Sequence, residues 1–81
     1  MAAARPRKQV DTSTYRGRFA LRLKELREEA GLSVEQFAEK SGIPVQTLYN
    51  WEKARRVPSM DQFPQISKAL GVSIDTLLPK I

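Results

Sequence analysis

Residues 31–58 read GLSVEQFAEKSGIPVQTLYNWEKARRVP, and this stretch decides the fold. It holds two short helical patterns separated by one turn at Gly42, a spacing typical of a helix-turn-helix. Ser33 and Gln36 match a capping box, in which a hydroxyl and an amide satisfy free backbone groups at a helix start. Gly42 supplies a positive φ that ends the first pattern. Pro44 suits the first turn of the next helix, where its missing N–H costs nothing. The second pattern therefore has the position of a helix that enters a DNA groove.

The composition of this 81-residue chain excludes several kinds of site. Because it contains no cysteine and no histidine, disulfides, zinc fingers, thiolate or imidazole metal sites and Cys or His catalysis are excluded. No apolar run approaches the ~20 residues that cross a bilayer, and residues 1–10 lack the apolar core of a signal peptide. We therefore expect a cytoplasmic protein with no cofactor, membrane partner or small-molecule substrate. The core of so short a chain is small, and a partner subunit would add to its stability.

Basic residues are concentrated at the start of the chain. The net charge is +5, and residues 1–18 hold five Lys or Arg side chains against one Asp. Residues 1–14 show no apolar periodicity, which predicts a disordered basic arm in front of a folded domain at 15–81. The arm could reach phosphates or a minor groove through Arg5, Arg7 and Lys8. A solvated tail that touches nothing explains the same composition, and both interpretations stay open.

The rest of the chain shows helical periodicity. An apolar stripe with spacings of three and four predicts a first helix ending at Gly31; its members are Tyr15, Phe19, Leu23, Leu26 and Ala30. Towards the end of the chain, Ser59 and Gln62 form a second capping box, followed by another stripe: Met60, Phe63, Ile66, Ala69 and Leu70. Pro64 predicts a distorted start to this helix. A short last helix begins at Ser73 and ends before Pro79. The predicted fold is therefore all-α with five helices.

Several short motifs together resemble the XRE-type, lambda-repressor-like helix-turn-helix domain. They are RLKELR at 22–27, GLS at 31–33, FA at 37–38, SGI at 41–43, WE at 51–52, PS at 58–59 and ALGVS at 69–73. The resemblance covers residues 16–78, nearly everything outside the arm. It implies a five-helix domain that binds operator DNA, usually as a homodimer, and regulates transcription. One departure is Pro44, where the family often has a Ser or Thr that caps the recognition helix.

The recognition helix implied here, about residues 44–53, has two different faces. At 100° per residue, Leu48 and Trp51 share one side, and this side should face the core, with Thr47 and Glu52 at its edges. The opposite side carries amides, a methyl pair, a phenol and an ammonium: Val45, Gln46, Tyr49, Asn50 and Lys53. Because Gln and Asn can bond adenine and Val can meet a thymine methyl, we predict base contacts from Val45, Gln46, Tyr49 and Asn50. An ordinary solvated face would show the same periodicity, although Val and Tyr are costly choices for it.

Other residues are predicted to support this helix or to grip the DNA backbone. The proposed phosphate contacts are Ser33, Thr47, Lys53, Arg55 and Arg56, the two arginines lying in the loop after the recognition helix. Arg27 and Glu52 align with a family pair in which an ion pair joins the first helix to the recognition helix. The resemblance implies that pair here, and two independent surface charges are the alternative.

Three classes of function remain open. The Glu residues lie among Lys and Arg, without a Gly-rich phosphate loop or a nucleophile beside a base, so an enzyme is not expected. The leading class is a sequence-specific regulator of transcription that binds DNA. The alternatives are a protein-interaction adaptor on the same fold, which would not need the amide-rich face, and the DNA-binding antitoxin of a toxin–antitoxin pair. RNA binding is less well supported, because no RNA-reading motif is present.

The last predicted helix indicates a homodimer. It offers more apolar surface than so short a helix can cover, through Ile74, Leu77, Leu78 and Ile81. A two-fold axis through this surface would place two recognition helices about 34–36 Å apart, which matches an inverted-repeat operator with half-sites ~10 bp apart. In the alternative, Ile74 and Leu77 close the core of a monomer, while Leu78 and Ile81 lie at a frayed end.

Overall fold

The computed structural model describes residues 10–79 and contains five α-helices there. They are α1 (Tyr15–Glu29), α2 (Val34–Ser41), α3 (Val45–Glu52), α4 (Phe63–Leu70) and α5 (Ile74–Leu77), with a 3₁₀ turn at Met60–Gln62 before α4. No strand occurs within residues 10–79, so the predicted all-α, five-helix fold is confirmed. None of these helices combines the length and the apolar character needed to cross a bilayer.

The chain before α1 folds back on the first turn of that helix. The Thr14 hydroxyl accepts a hydrogen bond from the Gly17 N–H and donates one to the Asp11 carbonyl, both 3.0 Å long. A Cβ at Gly17 would overlap the Asp11 carbonyl oxygen, so this close approach requires glycine. Residues 11–14, which the sequence places in the arm, therefore form the cap of α1. The remainder of the predicted arm, residues 1–9, lies outside the described part of the chain.

Local signals set the ends of α2 and the start of α3. The Ser33 hydroxyl accepts from the Gln36 N–H at 3.1 Å, and the Ser33 N–H donates to the Gln36 amide oxygen at 2.8 Å. The predicted capping box is therefore confirmed. Gly42 ends α2 with a φ of 74°. Pro44 is extended, with ψ 144°, and makes no side-chain cap, so α3 begins one residue later than predicted, at Val45.

The start of α4 is distorted, as Pro64 predicts. The Ser59 N–H donates to the Gln62 amide oxygen at 2.9 Å, and the chain makes a 3₁₀ turn before Pro64 enters α4 as its second residue. The expectation that Met60 is buried is wrong, because its side chain is 83% exposed. A 3₁₀ turn has three residues per turn, so Met60 is out of phase with the apolar stripe of α4.

The core lies between all five helices. Its buried apolar side chains are Phe19, Ala20, Leu23, Leu26, Val34, Phe37, Ile43, Leu48, Trp51, Ile66, Ala69, Leu70 and Leu77. Phe19 of α1 meets Phe63 of α4 edge to face, with the ring centres 5.9 Å apart. Tyr15 and Ala30, both predicted to be on the buried stripe of α1, are exposed because they lie at its two ends. The middle of α1 therefore carries the core contacts of that helix.

Candidate nucleic-acid interface

Helix α3 presents one face to the core and the other to solvent. Leu48 and Trp51 are 0% and 2% exposed, which confirms the predicted inner face. Gln46 and Tyr49 are exposed on the other side, and Lys53 follows them at the C-cap. A row of amide, phenol and ammonium groups is thus accessible to a ligand along α3.

Three of the predicted contact residues are only partly accessible. Val45 packs against the core, because a residue three positions before Leu48 is its neighbour on the helix surface. It therefore lies at the boundary of the two faces and not on the outer one. Thr47 and Asn50 are half-buried as well.

Tyr49 and Lys53 are paired on the outer face of α3. The Lys53 ammonium lies 5.8 Å from the centre of the Tyr49 ring, within the range of a cation–π contact. The two residues are four positions apart, which brings side chains together on a helix. The pair holds a positive charge beside the phenol at the end of the exposed row.

An ion pair joins α3 to α1. Arg27 Nε and Nη2 donate to the two carboxylate oxygens of Glu52 at 2.7 and 3.1 Å, and both side chains are about nine-tenths buried. The hydrogen bond with Glu52 raises the pKa of Arg27. Arg27 Nη1 also donates to the Leu32 carbonyl at 2.8 Å, a contact for which the sequence offers no signal. One guanidinium therefore fixes α1, α3 and the turn before α2.

A left-handed turn ends α3. The Ala54 N–H donates to the Trp51 carbonyl at 3.1 Å and the Arg55 N–H to the Asn50 carbonyl at 2.9 Å, the two bonds of a Schellman motif. Ala54 has a φ of 60°, which the sequence does not indicate because the residue is not glycine. The exposed side chains of Arg55 and Arg56 follow directly. The structure thus places Lys53, Arg55 and Arg56 around the C-terminal end of α3.

The predicted dimer surface is only partly present. Leu77 is 0% exposed and belongs to the monomer core, so its assignment to an interface is wrong. The reason is that α5 packs against both α1 and α4, and Arg22 Nε of α1 donates to the Thr76 carbonyl at 2.9 Å. Ile74 and Leu78 are exposed, and Ile81 lies outside the described residues.

Comparison with known proteins gives matches of sequence and of fold. The family model described as Helix-turn-helix matches residues 23–77, more than half of the chain. The HTH-type transcriptional regulator ImmR of Bacillus subtilis (strain 168) is 41% identical over 59 residues, which are 73% of this chain and 46% of ImmR. The chain thus spans less than half the length of this curated relative.

Two solved structures have the same fold. The restriction-modification controller protein C.AhdI from Aeromonas hydrophila is 28% identical, with a TM-score of 0.74 over 84% of this chain and 100% of that chain. SinR, the master regulator for biofilm formation, was solved in complex with DNA and is 33% identical, with a TM-score of 0.70 over 73% of this chain and 95% of that chain. Because the family model matches more than half of its residues, this chain belongs to the helix-turn-helix family.

Proposed function

We propose that this chain is the DNA-binding part of a sequence-specific regulator of transcription, with α3 in the major groove. The observation that carries the proposal is the outer face of α3, where Gln46 and Tyr49 are exposed above a buried inner face. The Arg27–Glu52 pair holds this face in a fixed orientation on α1. The description of ImmR and the DNA complex of SinR support the same function.

Base reading is assigned first to Gln46. Its amide N–H can donate to adenine N7 while its amide oxygen accepts from the N6 amino group, a bidentate bond, and the Gln46 side chain is exposed. Tyr49 lies three residues further along α3 and Asn50 four, so both can reach the following base pairs. Val45 is partly covered by the core and offers only its remaining methyl surface to a thymine methyl.

The groups around α3 are assigned to phosphates. Lys53, Arg55 and Arg56 supply positive charge at one end of α3, and each phosphate they neutralise releases counterions. Ser33 uses its oxygen as an acceptor within the cap of α2, so its O–H can still donate to a phosphate. Thr47 has the same hydroxyl chemistry at the edge of α3. The basic residues Arg5, Arg7 and Lys8 would add contacts from the arm.

We further propose that two copies bind together. Leu78, at the end of α5, lines the same surface depression as the exposed Leu21 of α1, and Ile74 at the start of α5 is exposed as well. A two-fold axis here would pair this apolar surface with itself. The operator would then be an inverted repeat with half-sites one helical turn apart.

The experiment starts with selection of binding sites from random duplex DNA. Gln46→Ala should lose about 1–3 kcal/mol of binding free energy on the selected site, together with the base preference at one position of that site. Gln65→Ala, the same change at an exposed position of α4, is the control and should bind normally. If Gln46→Ala lost as much affinity for random DNA as for the selected site, Gln46 would position the protein on DNA without reading a base. Failure of the unmodified chain to bind any duplex would overturn the function and favour a protein-interaction adaptor.

A further inference from the structure

The turn after α3 differs from the other left-handed helix ends of residues 10–79. Gly31, Gly42 and Gly71 have φ angles of 74°, 74° and 72°, whereas Ala54 takes up a φ of 60°. An L side chain is disfavoured in this region because its Cβ crowds the following carbonyl oxygen. Ala54 therefore holds a backbone conformation that glycine would adopt without strain.

Backbone hydrogen bonds maintain this conformation. In addition to the two bonds of the Schellman motif, the Arg56 N–H donates to the Asn50 carbonyl at 3.4 Å. The same carbonyl also accepts from the Arg55 N–H. The backbone of both arginines is thereby tied to Asn50, a residue of the proposed base-reading helix.

The loop is also fixed at its other end. Pro58 is buried, while Arg55 and Arg56 are exposed between it and the turn. A loop held at both ends loses less conformational entropy when its side chains bind a ligand. Two guanidinium groups are thus displayed from a backbone that is already ordered.

We infer that Ala54 is a positioning residue, whose left-handed turn directs Arg55 and Arg56 onto the DNA backbone beside α3. This role rests on the proposed function, in which Arg55 and Arg56 contact phosphates, and the turn at Ala54 is what orders those two side chains. Ala54 carries no charge and no side-chain hydrogen-bonding group, so it acts through the two arginines.

The test compares substitutions at position 54 that leave the net charge unchanged. β-branched residues are least tolerated at positive φ, so Ala54→Val should bind a selected duplex on the order of tenfold more weakly. Its slope of log K against log salt should fall by about 1 to 2, as expected when one or two phosphate contacts are lost. Ala54→Gly should bind like the unmodified chain. Ala30→Val is the matched control, because Ala30 is exposed at the end of a helix and has a φ of −78°. The affinity of this variant for the duplex should not change.

A second comparison separates positioning from a structural role. In an Arg55→Ala, Arg56→Ala background, Ala54→Val should cause no further loss of affinity, with folding checked by circular dichroism. If Ala54→Val does not fold, a glycine inserted after Ala54 shifts the arginines without strain and should give the same tenfold loss. The inference is overturned if Ala54→Val lowers the affinity for DNA equally in the unmodified chain and in the Arg55→Ala, Arg56→Ala background. It is also overturned if a folded Ala54→Val variant, or the insertion variant, binds DNA with full affinity. Absence of DNA binding by the unmodified chain would instead reject the proposed function.

Discussion

Removal of the Glu52 carboxylate is expected to destabilise the domain strongly. In Glu52→Ala, Arg27 keeps its bond to the Leu32 carbonyl but loses both carboxylate oxygens, which lie 2.7 and 3.1 Å away. An unpaired charge then remains in a site where the Arg27 side chain is 10% exposed. Breaking a buried ion pair from one side costs about 3–5 kcal/mol, and the residual exposure reduces our expectation to about 2–4 kcal/mol.

That loss is large for a chain of this length. At roughly 0.05–0.15 kcal/mol per residue, the whole domain has a free energy of unfolding of about 4–12 kcal/mol. Each kcal/mol shifts the melting temperature of such a domain by about 4–8 °C, so a decrease of about 8–32 °C is expected. Glu52→Gln keeps an oxygen acceptor for Arg27, so its free energy of unfolding should fall by less, about 1–2 kcal/mol.

Urea unfolding followed by far-ultraviolet circular dichroism measures these differences. Glu28→Ala is the control, because the Glu28 carboxylate is 4.0 Å from Arg27 Nη2 and its side chain is 57% exposed. An exposed contact of this kind contributes less than about 1 kcal/mol. If Glu52→Ala lost no more stability than Glu28→Ala, the ion pair would not be what fixes α3 to α1.

Three further variants test other parts of the structure. Gly17→Ala should lower the melting temperature, although alanine favours helices, because the new Cβ would displace the Asp11 carbonyl. The Thr14 cap, which contributes about 1 kcal/mol to stability, would be lost with it. An increase in melting temperature would contradict the close approach of Gly17 to Asp11. Arg55→Ala should weaken binding to selected and random duplexes alike and reduce the salt slope by about 1 in fluorescence titrations, and an unchanged slope would remove its phosphate contact. Leu78→Glu should give a monomer in sedimentation velocity and weaken operator binding, and no change in either mass or affinity would exclude this interface.

Short-range signals in the sequence predicted most helix ends correctly. A cap depends on residues three or four positions apart, so Ser33 with Gln36 and the positive φ of Gly42 could be recognised without knowledge of the fold. The same holds for Pro64, whose missing N–H distorts the start of α4 in any context. The inner face of α3 followed from helical periodicity alone.

Features that depend on packing between helices could not be predicted in this way. Leu77 has the same sequence signature as Leu78, and only the docking of α5 on α1 and α4 decides which of them is buried. The left-handed Ala54 lacked a glycine signal, since alanine ordinarily favours a helix. The base and phosphate contacts remain predictions, because they depend on a DNA partner as well as on the fold.

The start of α1 lies beside the end of the described residues. The Tyr15 hydroxyl donates to the Pro79 carbonyl at 2.8 Å, although 64 positions separate the two residues. A short linker could therefore join Pro79 to the segment before Tyr15, and new ends could be opened at the exposed Val57 without changing which side chains pack together. In such a circular permutant α4 would be the first helix and α3 the last, so the surface proposed to face DNA would be completed by the final residues to leave the ribosome.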